Sequence, residues 1–186
     1  MELVAIDNSK IWTAEEYMQL NENPNQQLIK CSLIMSPSPS LNHQQILINL
    51  SSILRQYAVK NGDRIYFSPL DIHLDQHNVP RPDIAYILKS NLNKLSKRGI
   101  EGAPDLIVEV ISPSNSFIDR YDKKNLYEQF KVQEYWIIDP GNRSLEIYQL
   151  SSEKYNLALY LAEEGEVNSP LLKNLSLKMK EIFELI

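Results

Sequence analysis

Residues 106–111 read Leu-Ile-Val-Glu-Val-Ile, a short apolar run interrupted by one charge. Such a run fits a strand at the centre of a sheet, covered on both faces. Glu109 is then in an expensive place. Desolvating an ionised carboxylate costs several kcal/mol or shifts its pKa, so a partner is expected. A second apolar run, Asp83 to Leu88, opens on another carboxylate after Pro82. Two acids placed this way suggest a shared partner, and a divalent cation is the economical one.

The elements around these runs read as mixed α/β. Thr13 and Glu16 form a capping-box pattern that opens a short helix through about Leu20. Asn21 to Gln26 is a polar break, and Leu28 to Met35 reads as a strand or hairpin. Ser36 to Ser40, SPSPS, is a turn-rich connector, because proline does not sit in a helix interior. Leu47, Leu50, Ile53, Leu54, Tyr57 and Ala58 recur at helical spacing and predict a long amphipathic helix over Leu41 to Val59. Asn61-Gly62 ends it, since glycine accepts positive φ. Ile65 to Leu74 reads as a strand, Asp75 to Val79 as a turn, and Ser90 to Arg98 as a helix or loop. A helix runs from Ser116 or Asp119 to about Phe130. Strands follow at Tyr135–Ile138, Ser144–Leu150 and Lys154–Leu161, with a DPGN turn capped by Asp139. A last helix is expected between Leu175 and Ile186.

A length of 186 residues suits a single domain, 1–186, with a core over about 12–160. No apolar run of about 18 residues is present, so no membrane span is expected. MELVAIDNSKIW lacks the long apolar stretch of a signal peptide. The single Cys31 forms no internal disulfide, which is compatible with a reducing, cytoplasmic setting. The net charge of −5 does not favour a broad basic surface for nucleic acid. Lys89, Lys94, Lys97 and Arg98 form a local basic cluster, read first as a solvated loop and second as a phosphate-contacting rim.

Phosphodiester hydrolysis needs an activated water, a Lewis acid and stabilisation of growing charge. A hard cation such as Mg²⁺ is satisfied by one or two carboxylates, a backbone carbonyl, substrate and water. Asp83 and Glu109 are the candidate ligands. A lysine two residues after Glu109 would lie on the same face of the strand, but the chain has Ile111 there. Lys123, on the following helix, is the candidate substitute. Asp119 lies one turn before it and Tyr127 one turn after it, on the same face. Taken alone, Lys123 reads as a solvated helix lysine.

In order, the chain shows MSPSP with His43, then Pro82-Asp83, then PDLIVEVISPS from Pro104 to Ser114. Asp119, Lys123 and Tyr127 follow in a D-x-x-x-K-x-x-x-Y spacing, and EYWIIDP closes the series from Glu134 to Pro140. This succession resembles the bacterial Uma-type family of the PD-(D/E)XK nuclease superfamily, over about residues 12–160. The resemblance implies a restriction-endonuclease-like fold, a central mixed β-sheet flanked by helices. It implies Mg²⁺- or Mn²⁺-dependent cleavage of DNA, with Asp83 and Glu109 as metal ligands and Lys123 in place of the usual lysine. It also implies a homodimer, since such nucleases often pair to cut two strands.

The chain departs from the family pattern near its start. Gln27 takes the place of a glutamate, Lys30 of an acid and Cys31 of a glycine. Lys131 stands where a glycine is usual. An amide offers a carbonyl oxygen to a metal but no charge. Gln27 and Tyr127 are therefore additional site candidates. The alternative function is a catalytically degraded member kept as a nucleic-acid- or protein-binding module.

Other residues have plainer readings. His43 reads as a cap or surface residue, and Asp105 as a strand-entry residue. His73 and His77 share no helical face. Tyr135 and Trp136 read as core aromatics. Ser112 to Ser116 reads as a turn, because no positioned histidine follows it.

Overall fold

In the computed structural model, residues 10–20, 26–35, 38–112 and 116–184 are described. The expected polar break therefore lies almost wholly outside the described residues. So do Ser36 and Pro37 of the connector, and residues 113–115 of the serine-rich turn.

The capping box forms as expected. Glu16 N–H donates to Thr13 Oγ1 at 3.3 Å, and Thr13 N–H donates to Glu16 Oε2 at 3.0 Å, opening α1 (Ala14–Met18). Strands β1 (Gln26–Ile29) and β2 (Ser32–Met35) make a hairpin. Its two turn residues, Lys30 and Cys31, have φ of 49° and 64°. Helix α2 (Leu41–Asn61) is capped by Ser40 and ends at Gly62, φ 80°.

The expected strand over 65–74 is two pieces. β3 (Arg64–Phe67) joins the main sheet, and β4 (Ile72–His73) pairs with β6 (Ile100–Glu101) in a separate two-stranded sheet. Pro69 lies between them and has no N–H to give a ladder. Asp71 is held by the Arg81 guanidinium and by the Tyr17 hydroxyl. β5 (Ile84–Ile87) follows, then a 3₁₀ turn, Lys89–Lys94. Asp105 caps that turn, accepting from Leu88 N–H at 2.8 Å and from the Asn91 amide at 2.6 Å.

β7 (Leu106–Val110) is the expected apolar strand. The helix after it begins as π-helix, Ile118–Lys123, and tightens to α3 (Lys124–Gln129). β8 (Glu134–Asp139), β9 (Ser144–Ser151) and β10 (Lys154–Ala162) complete the strands. α4 (Met179–Phe183) is shorter than expected, because the residues before it pack in extended form.

The main sheet has six strands in the order β10-β9-β8-β7-β5-β3. β7 and β8 are parallel and the other pairs antiparallel, so the sheet is mixed. One face, carrying Tyr86, Val108, Val110 and Trp136, is covered by α2, α4 and the segment from Val167 to Leu177. The other carries Ala85, Ile107, Ile111, Tyr135 and Ile137, and packs Tyr127 of α3. Strand alternation puts Glu109 on this second face, with Ile107 and Ile111. The core extends past residue 160, since Val167, Leu172, Leu177, Met179 and Ile182 are all buried in it. Among the described residues, no helix is long and apolar enough to cross a membrane.

Candidate active site

The ladder between β5 and β7 sets the site. Ala85 faces Ile107 and Ile84 faces Val108. Continued by one step, that register would set Asp83 opposite Glu109. Beyond the ladder, Asp83 Oδ2 accepts Val110 N–H at 2.7 Å, tying the acid to the neighbouring strand. Both carboxylates line a cleft of about 1140 Å³ bounded by α2, the strand ends and the π-helical segment.

Lys123 is buried, not solvated. Its Nζ donates to Glu109 Oε1 at 2.8 Å and lies 3.3 Å from Asp119 Oδ1. The Tyr127 hydroxyl donates to the same Glu109 oxygen at 2.9 Å. The π-helical winding is fastened from below, where the Tyr135 hydroxyl donates to the Asp119 carbonyl at 3.0 Å. Segments of π-helix recur at functional sites because they re-aim side chains within a helix.

The electrostatics follow from burial and from an excess of acid. Burial pushes the Glu109 carboxyl up to about 8; Lys123 opposes this, while Asp119 and Asp83 reinforce it. The Asp119 carboxyl is raised for the same reasons, burial first. Burial alone would lower Lys123, but the Glu109 and Asp119 carboxylates outweigh it and raise the ammonium above its ordinary range. Burial and the Glu109 charge together raise Tyr127.

Gln27 is buried and lines the cleft, and its Oε1 accepts Arg81 N–H at 3.2 Å. It braces the segment that carries Asp83. Two further residues line the cleft. His43 Nε2 lies 3.1 Å from Asp83 Oδ1, so this histidine is on the site and not a plain cap. Arg120 binds the Glu146 and Asp139 carboxylates on the cleft wall. The sequence signal for His43 was its place in the family motif, after MSPSP. Arg120 had none, since Glu146 lies on a strand 26 residues away. Lys89, Lys94, Lys97 and Arg98 do not line the cleft. Lys94 donates to Ala103 carbonyl at 2.6 Å, and Arg98 pairs with Glu101 at 3.7 Å.

The family described as Uma2, "putative restriction endonuclease", matches residues 14–180. The chain belongs to the Uma2 family. A crystal structure of a protein from Anabaena variabilis, described as a putative nuclease belonging to DUF820, superposes with a TM-score of 0.77. The two are 22% identical, and the match covers 92% of this chain and 97% of that one. At that identity the likeness speaks for the fold, which is restriction-endonuclease-like. No curated protein matches the chain. Within this Uma2 chain, the quoted motif residues Asp83, Glu109, Asp119, Lys123 and Tyr127 meet in one place, although the motif spreads them over 45 positions.

Proposed function

We propose that this Uma2 protein is a nuclease that hydrolyses DNA phosphodiester bonds with the help of one class of cofactor, Mg²⁺ or Mn²⁺. The observation that supports this best is that Asp83 and Glu109, on neighbouring chain segments, line one cleft, with Lys123 bonded to Glu109.

The donor set suits a hard cation. Asp83 and Glu109 both line the cleft, and Glu109 Oε2 has no donor among the described residues. Among the described residues no group of three or more His, Cys, Asp or Glu side chains is placed to hold a metal. That argues against a zinc-type cage and for an ion that keeps several waters. Asp83 and Glu109 would hold the ion. When bound, it would supply Lewis acidity at a phosphoryl oxygen and make a water more acidic.

The chain's own groups do the rest. An ammonium has three donors, and Lys123 directs two toward Glu109 and Asp119. The third is available to orient a water or to meet charge growing on the phosphate. Tyr127 fixes the Glu109 carboxylate, Gln27 braces the chain before Asp83, and His43 lies against Asp83. The Arg120 cation is already shared by Glu146 and Asp139, and Arg81 is bonded to Asp71. The cleft therefore offers a polyanion little spare positive charge. DNA binding should be weak in chelator and tighten with Ca²⁺. A homodimer would bring two clefts to two strands, which sedimentation velocity checks.

Gln27 favours a second reading, a binding module without catalysis, because an amide stands where the family pattern has a glutamate. Calorimetric titration of Mg²⁺ and Mn²⁺ into wild type and Glu109→Gln, followed by plasmid nicking, separates the two. Metal binding and nicking, both lost in the variant, support the nuclease. Metal-free DNA binding without nicking supports the module.

A further inference from the structure

The two oxygens of Glu109 are in different circumstances. Oε1 is occupied by the Lys123 ammonium and the Tyr127 hydroxyl. Oε2 has no donor among the described residues, and Glu109 lines the cleft. The ammonium lies between two carboxylates, 2.8 Å from Glu109 and 3.3 Å from Asp119. In sites with two metals, ions about 3.5–4 Å apart share carboxylates in this manner. Here an ammonium lies between the two carboxylates.

We propose that the Lys123 ammonium stands in place of a second metal ion, so that the centre takes a single divalent cation, between Asp83 and Glu109 Oε2. The inference rests on the metal-site reading above and adds its stoichiometry.

Charge supports it. With a cation bound and all three carboxyls ionised, Asp83, Glu109 and Asp119 would carry three negative charges, and Lys123 cancels one. One divalent ion neutralises the remainder. A second would leave the cluster, ammonium included, positive by two, in a setting where like charges a few ångströms apart repel strongly. The ligands agree. A second ion bridging Glu109 and Asp119 would need Glu109 Oε1 and Asp119 Oδ1, which Lys123 already uses. Asp119 is then a positioning residue, since it holds the ammonium in place from one helical turn away.

The test is calorimetric titration with Mn²⁺ of wild type, Lys123→Met and Lys123→Met/Asp119→Asn, with thermal melts to confirm folding. One ion per chain is expected in wild type, two in Lys123→Met, and one again in the double variant. Two ions in wild type overturn the inference and leave the metal site standing. No ion in wild type overturns the metal-site reading, and the inference falls with it. A folded Lys123→Met that still takes one ion at wild-type affinity also overturns it. If Lys123→Met does not fold, electron paramagnetic resonance of Mn²⁺-loaded wild type decides. The spectrum of an isolated ion supports the proposal, and that of an exchange-coupled pair overturns it.

Discussion

Tyr127 and Glu134 show how single buried side chains act in this protein. The Tyr127 hydroxyl makes one hydrogen bond, to Glu109 Oε1, while its ring packs edge-on to Tyr135 at 5.2 Å. Tyr127→Phe keeps the packing and removes the bond. The expected cost is about 0.5–1.5 kcal/mol, seen as a melting temperature lower by about 1–6 °C for a chain of this size. Glu134 is fully buried and accepts from Trp136 Nε1, Ser169 Oγ and Leu171 N–H. Burial raises its carboxyl above the ordinary range, and those three donors only partly hold it down. The folded chain therefore keeps a proton at pH values where the unfolded chain has lost it, and stability falls as pH rises through that window. The window opens near the ordinary carboxyl value, 4.5, and extends upward to the raised value. In melts over a pH series, Glu134→Gln should remove this component of the decline. The sequence showed Glu109 as anomalous because its neighbours are apolar. It did not show Glu134 as anomalous, because the partners that matter, Ser169 and Leu171, lie more than 30 residues away.

At the scale of elements, two departures from the family pattern have a backbone consequence. Cys31 and Lys131 both stand where a glycine is usual, and both have positive φ, 64° and 62°. An L side chain in that region costs about 1–2 kcal/mol, partly offset by glycine's greater freedom when unfolded. Cys31→Gly and Lys131→Gly should each raise stability by up to about 1 kcal/mol, measured as a shift in denaturant midpoint at constant slope. The Cys31 substitution was visible in the sequence, and the hairpin forms regardless, bridged to the π-helical segment by Lys30 and Asp122 at 2.8 Å. The π-helical winding itself was not visible. The spacing of Asp119, Lys123 and Tyr127 is equally compatible with an ordinary helix, and it is contacts with Glu109 and Tyr135 that accompany the wider turn.

For the whole molecule, the C-terminal segment is part of the core. Val167, Leu172, Leu177, Met179 and Ile182 pack with Val108 and Trp136 on the face of the sheet opposite Glu109. Burying each such side chain contributes about 1.5–3 kcal/mol, and domains are stable by only about 5–15 kcal/mol. A chain ended after Ala162 should lose its cooperative melt and bind a hydrophobic dye, although all the site residues remain. The sequence by itself determined the mixed α/β class, the buried centre strand with its lone glutamate, the capped helices and the order of the motif, because those depend on neighbours a few residues apart. Only the tertiary structure decided that Asp83 and Glu109 line one cleft, that Lys123 is a buried ion partner instead of a solvated lysine, and that His43 and Arg120 belong to the cleft. Each of those facts comes from strand register or from a helix laid across a sheet. Such contacts join residues distant in the chain, and no local pattern encodes them.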